Sequence, residues 1–229
     1  AALHENVTAM GFKPLAYINV KGFHNPDPTL EEMRFWSKKQ NLSLPMVISA
    51  TDGTKMQFEQ VLVANCFGAT ILKDGLLGEI GQDVSTIAFH LADAAKKLGQ
   101  PVSDYTVNSK HPFRICIVAE YDSRQKAALD YYKFGLGPYY ILPQNIMLCH
   151  LEIAKTIRRL LAGGKPLLDN SSHPAMSMAA VAKKRLPMGT PIKFGCGCFE
   201  LRGLAVKINE HFGHIPVGLV QDAVIKRNI

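Results

Sequence analysis

The chain has 229 residues, 47% of them hydrophobic and 20% charged, which supplies a core for one large or two modest domains and excludes a disordered protein. Its net charge of +7 suits an anionic partner, but the basic groups Arg158-Arg159, Lys183-Lys184-Arg185 and Lys226-Arg227 are short and scattered, and no nucleic-acid motif accompanies them. Five cysteines argue against a disulfide framework, and with no signal peptide and no apolar run near the length of a membrane span the expected compartment is the cytoplasm.

Residues 1–10 read as an amphipathic helix with Leu3, Val7 and Met10 at spacings of four and three, capped by Gly11, and 12–20 reads as a strand. A chain that begins inside a helix looks like part of something longer. "KGFHNPDP" is loop, because Pro26 and Pro28 block regular structure. Thr29 and Glu32 make a capping box for a helix over 30–40, with Leu30, Met33 and Trp36 facing inward. "DGTKMQFEQVLVANCFG" (52–68) reads as one helix, apolar almost all the way round. Gly75, Gly78 and Gly81 space a flexible segment before a helix over 84–98 that Gly99 stops. "FRICIVAEY" (113–121) is a β-type run, 124–134 is ambiguous between helix and strand, and "FGLGPYYIL" is extended. "LCHLEIAKTIRRLLAGG" is a helix ended by Gly163-Gly164. Beyond residue 164, short β-like pieces divided by Pro and Gly read as a small all-β module appended to an α/β body. The expected fold class is α+β.

The first candidate for chemistry is the stripe Asp52, Lys55 and Glu59. On one helix, steps of three and four put all three on one face. Burying them is costly unless they pair or bind something, so the stripe is either a salt-bridge triad or a lysine held by carboxylates as a proton donor to substrate oxygen. The second is Lys21 in "INVKGF", directly after a strand, where open α/β sheets bind ligands; a lysine merely leaving for solvent is the plainer alternative. His24 and Asn25 in the next loop add weaker polar contacts. "GLGPYY" and "GCGCFE" do not complete a phosphate-binding glycine motif, and no dinucleotide fingerprint occurs in the chain. His111, His150 and Glu152 do not form a metal site by spacing, and Cys196-Gly-Cys198 lacks a second pair, so no metal ligands are assigned.

The segments "GFKPLAYINVKGF", "DGTKMQFEQVLVANCFG", "DYYKFGLGPYYIL", "LCHLEIAKTI" and "AVAKKRLPMGTPIKFGCGCFELRG", in this order, resemble a family of NAD(P)-dependent oxidoreductases. Its members are homoserine-dehydrogenase-like and end in a SAF domain; one branch includes 1-deoxy-xylulose-5-phosphate reductoisomerase-like enzymes. The resemblance runs through nearly the whole chain. It implies that residues 1–20 close a Rossmann-like cofactor domain, that 21–174 form a catalytic and dimerisation domain, and that 175–229 form a SAF (β-clip) domain. It also implies NADP or NAD, bound mainly by a domain outside this sequence, with a divalent cation as an option. Lys21, Asp52, Lys55 and Glu59 become the catalytic set, with His24, Asn25 and His150 contacting substrate. Lys55 and Lys21 would bind or protonate a carbonyl oxygen, and Asp52 and Glu59 would hold the lysines. This sequence departs from the family in the spacing of three between Asp52 and Lys55, where four is expected, and in Ile146-Met147, where relatives carry an aromatic residue and a histidine.

The expected function is hydride transfer between NAD(P) and a CH–OH or carbonyl group of a small polar metabolite, phosphorylated ones included, with a sugar-phosphate reductoisomerase as the specific form. A homodimer is expected. The competing reading is a non-enzymatic SAF-containing carbohydrate-binding or assembly module whose catalytic lobe has decayed.

Overall fold

The structure, a computed structural model, describes residues 1–110, 114–145 and 151–229. Helix α1 (Ala2–Ala9) turns into strand β1 (Lys13–Lys21) at Gly11, whose φ of 91° suits only glycine without strain. Helix α2 (Leu30–Gln40) opens with the expected box: the Thr29 hydroxyl accepts from the Glu32 N–H at 3.2 Å, and the Glu32 carboxylate accepts from the Thr29 N–H at 2.9 Å. Helix α3 (Leu44–Thr51) follows Ser43, with Pro45 in its first turn, and was not among the expected elements.

The helix expected over 52–68 is shorter than its sequence suggests. Asp52 ends α3, Gly53 breaks the chain at φ 88°, and α4 runs from Thr54 to Phe67. Asp52 therefore lies outside the helix, and helical periodicity does not place it with Lys55. Strand β2 (Glu79–Ile80), helix α5 (Val84–Leu98) and strands β3 (Val102–Val107) and β4 (Ile115–Glu120) come next. The ambiguous stretch 124–134 holds a short helix, α6 (Lys126–Tyr131), and the extended segment after it forms β5 (Tyr139–Gln144). Helix α7 (Ile153–Leu161) precedes the connector.

The five strands form one mixed sheet in the order β2-β3-β1-β4-β5. β1, β2 and β3 are parallel; β4 and β5 run antiparallel to their neighbours. The boundary read at residue 20 falls inside β1, the central strand. One face packs on α5, where Ala16, Ile18, Val20 and Val118 meet Ile87, Leu91 and Ala95. The other packs on α4, where Tyr17 and Tyr105 meet Met56, Val61 and Ala64. The Gln60 side chain of α4 donates to the backbone carbonyls of Tyr17 and Asp104, tying the helix to two strands at once.

Beyond residue 175 lie strands β6 (Met176–Ala182), β7 (Pro191–Ile192), β8 (Leu201–Lys207) and β9 (Ala223–Val224), paired antiparallel as β6-β8 and β7-β9. They enclose a small core of Leu186, Ile192, Leu201 and Val220. Two strand pairs and a short 3-10 turn (Val217–Leu219) make up this segment, and it is not loosely appended. Thr54 Oγ1 accepts from Gly203 N–H at 3.0 Å and Gln57 Oε1 from Ala205 N–H at 2.7 Å. Asn65 Oδ1 accepts from Met176 N–H at 2.8 Å, and its Nδ2 donates to Met176 O at 3.0 Å. Thr54, Gln57 and Asn65 are all buried, so one side of α4 is a polar docking rail for β6 and β8. Among the described residues, no helix is long and apolar enough to cross a membrane.

Candidate active site

The parallel strands β1, β3 and β2 end at the same edge of the sheet, the position where open α/β sheets present ligand-binding groups. In a strand, residues two apart share a face. Asn19 and Lys21 thus both point from β1 to the α4 side, and there they meet Glu59. A single carboxylate oxygen, Oε2, accepts from Asn19 Nδ2 at 2.7 Å and pairs with Lys21 Nζ at 3.1 Å. The Lys21 and Glu59 side chains keep 25% and 38% of their exposure, so a ligand can reach both. Because the Asn19 amide must turn its NH2 to the carboxylate, its Oδ1 is left facing elsewhere. That oxygen is buried and has no partner among the described residues.

The other members of the expected set are dispersed. Asp52 is fully buried and does not hold Lys21 or Lys55. Its Oδ2 lies 2.6 Å from Lys183 Nζ in an ion pair without hydrogen-bond alignment, while Oδ1 accepts from Thr54 N–H at 2.9 Å. Lys183 Nζ makes its aligned bond to Cys198 O at 2.8 Å. Lys55 is exposed on the first turn of α4 and forms no ion pair among the described residues; Glu59, one turn on, is taken by Lys21. The expected triad is therefore split, because its first member precedes the helix and its last is claimed by β1.

His24 packs edge-on to Tyr105, with ring centroids 6.0 Å apart. Its Nε2 sits against Gly53, where a Cβ would come within 2.8 Å, so Gly53 is needed both for its positive φ and for this close approach. Burial lowers the His24 pKa; the backbone carbonyl of Asp52 opposes this, and the nearby Arg202 charge adds to it. Asn25 serves its own loop: its N–H donates to Thr51 O at 2.9 Å and its Oδ1 accepts from Asp27 N–H at 3.1 Å. His150 lies outside the described residues, as do His111, Ile146 and Met147.

Beside the Lys21–Glu59 cluster runs a groove of about 340 Å3 between α1, β1, β4 and α4. Tyr17, Phe58, Leu62, Val63 and Phe67 give it a mostly apolar lining, with Asn19 and Glu59 among its few polar groups. His4 stacks on Phe67 at 4.0 Å and its Nδ1 lies 2.9 Å from the Tyr17 hydroxyl. Burial raises the pKa of Tyr17 and lowers that of His4. A separate cluster at the seam with the β module brings ligand atoms of Asp74, Glu210 and His211 within 4.8 Å of one another. Its groups already satisfy each other or a lysine: His211 Nε2 lies 2.6 Å from Asp74 Oδ2, and Lys207 Nζ lies 3.0 Å from Glu210 Oε1.

Three residues that bear on this region escaped the sequence reading. The strand's period of two, applied to "INVKGF", places Asn19 beside Lys21 and was available. Lys183 and Arg202 had no local signal, because only tertiary folding brings them to the catalytic domain.

A mixed sheet with a lysine–glutamate–asparagine cluster at its strand ends and an apolar groove beside it makes this edge the candidate site of an α/β domain. Residues 1–153 match the family model described as oxidoreductase DRL, catalytic domain, and the chain belongs to that family. No curated protein matches it. The Lys21–Glu59–Asn19 cluster falls inside the matched region; Lys183 and Arg202 fall beyond it.

Proposed function

We propose that this chain carries the catalytic site of an NAD(P)-dependent oxidoreductase acting on a CH–OH or carbonyl group of a small phosphorylated metabolite, with a sugar-phosphate reductoisomerase as the specific form. The observation that carries the reading is the Lys21–Glu59 pair, half-exposed at the end of the central strand of an oxidoreductase catalytic domain. Lys21 Nζ donates a proton to the substrate oxygen as it gains charge, and takes it back in the oxidative direction. Glu59 holds the ammonium in place and disperses its charge, and Asn19 fixes the carboxylate. Asn19 Oδ1, buried without a partner, is available to accept from a substrate hydroxyl or from the carboxamide of a ring in the groove. Tyr17, Phe58, Leu62 and Phe67 would hold the nicotinamide ring, which when bound supplies or accepts the hydride. Lys55, exposed one turn before Glu59, is a second cation for the substrate.

Residues 175–229 act in this reading as the SAF-like module, and the protein works as a cytoplasmic homodimer. The exposed apolar stripe Ile153, Ile157, Leu160 and Leu161 of α7 supports the dimer. Arg159 fixes that helix to α1 by a bidentate pair with Glu5, at 2.7 and 3.0 Å, leaving the stripe outward.

The native polypeptide, assayed for nicotinamide-dependent reduction of phosphorylated hydroxyketones, tests the reading. Turnover that falls sharply in Lys21→Met and Glu59→Gln is expected. Carbohydrate binding with no redox turnover would replace it with the binding-module alternative, and full turnover in Lys55→Ala would remove Lys55 from the site.

A further inference from the structure

Arg202 is a half-buried guanidinium with no ion pair and no side-chain hydrogen bond among the described residues. An unpaired cation partly removed from water is destabilising unless something else meets it. The strand that carries Arg202 is rigidly seated: its neighbour Gly203 donates to Thr54 Oγ1 at 3.0 Å, and Ala205 donates to Gln57 Oε1 at 2.7 Å. Residues 202 and 204 share a strand face opposite Leu201, and Leu204 packs on Gly75, so Arg202 does not enter the module's own core. Gly203, its chain neighbour, is bonded to Thr54, Thr54 follows Gly53, and Gly53 sits against His24, which packs on Tyr105; the Arg202 charge acts to lower the pKa of both rings. Tyr105 lies across from Asn19 in the β1–β3 register, as Val107 lies across from Lys21. This chain of contacts puts Arg202 on the side of the β1–β3 strand ends where Lys21 and Glu59 also lie. Arg114, exposed beside Gly22, adds positive charge at that edge, while the carboxylates nearby are engaged elsewhere: Glu59 by Lys21, Asp52 by Lys183, and Asp104 by the N–H groups of Leu77, Gly78 and Tyr105.

We propose that Arg202, supplied by the C-terminal β module, is the anion-binding residue of the catalytic site and takes the phosphate group of the substrate. Its planar fork suits bidentate contact with a phosphate oxygen pair. The module then completes the site instead of decorating it, which gives a physical reason for the polar rail on α4 that holds β8 in register. The inference rests on the oxidoreductase reading for the word substrate, but the anion site can be tested without it.

The test is the binding of inorganic phosphate to this chain, followed by calorimetry and by thermal stabilisation, with acetate as the competing carboxylate. Wild-type protein is expected to bind phosphate in preference to acetate. Arg202→Met should weaken phosphate binding by about 10- to 100-fold, the loss of a charge-assisted contact, and Lys226→Met, an exposed control on the same module, should not. Arg202→Lys covers the case in which Arg202→Met does not fold: it retains the charge and loses the fork, so reduced affinity in a folded protein is expected. No phosphate binding by the wild type, or unchanged affinity in the folded Arg202 variants, overturns the proposal. Equal displacement by acetate overturns the phosphate assignment. Phosphate binding that depends on Arg202 in a native polypeptide without nicotinamide turnover would remove the oxidoreductase reading and leave the anion site standing.

Discussion

Two lysine–carboxylate pairs flank the start of α4, and they differ in almost every physical respect. Lys21 and Glu59 pair at 3.1 Å with 25% and 38% of their side chains exposed, whereas Lys183 and Asp52 pair at 2.6 Å with 5% and 0% exposed. The open pair joins a helix to a strand within the catalytic domain and can exchange its partner for a ligand. The closed pair joins the catalytic domain to the β module and has nothing to exchange with. Residue type alone does not distinguish a lysine open to a ligand from a structural one; solvent access does, because water sets the cost of separating the charges.

The comparison breaks most visibly if one member of the closed pair is removed. Lys183→Met leaves Asp52 buried and uncompensated, and is expected to cost about 3–5 kcal/mol of stability, measured by urea unfolding. Adding Asp52→Leu should recover much of that loss. If the double variant is no better than the single one, the cost comes from packing and not from the orphaned charge. The open pair should behave in the opposite way. Lys21→Met is expected to change stability by only about 0–1 kcal/mol, yet to lower turnover of the native enzyme by roughly 100- to 10,000-fold.

A smaller effect concerns assembly. Ile157→Glu places a charge in the exposed stripe of α7 and should shift sedimentation from dimer to monomer without altering the circular dichroism. An unchanged sedimentation coefficient would mean that this stripe is not the interface. The smallest effect is on pH dependence. Burial keeps the folded-state pKa of His24 and His4 below the ordinary histidine value. As pH falls through that value, near 6.5, the unfolded chain takes up protons first, so stability is lost from there downward until the folded rings also titrate. Melting temperatures between about pH 7.5 and 5 should fall less steeply in His24→Gln than in the wild type.

Much of the scaffold was legible because its signals are local. The Thr29/Glu32 box, the Gly99 stop and the amphipathic spacing of 84–98 act within a turn or two of chain, and each element stands where those signals place it. Helix α3 and strand β3 were not legible. In β3 every residue is buried, polar ones included, because Ser103 Oγ donates to Gln60 O and the Asp104 carboxylate accepts from the N–H groups of Leu77 and Gly78. Those partners lie 26 or more residues away, and no window along the chain contains them.

The candidate site divides in the same way. From the sequence came Lys21 at a strand end and Glu59 on a helix; their junction, with Asn19 between them, required β1 and α4 to pack face to face. Legible along the chain was an α4 with apolar residues such as Met56, Val61 and Ala64 for a sheet to cover; that Thr54, Gln57 and Asn65 form a buried polar side follows from the β module they bind. The tertiary structure was needed to set which charges of the 52–59 stripe stay open to solvent, because burial and pairing depend on distant partners, Lys21 on β1 for Glu59 and Lys183 from the far end of the chain for Asp52.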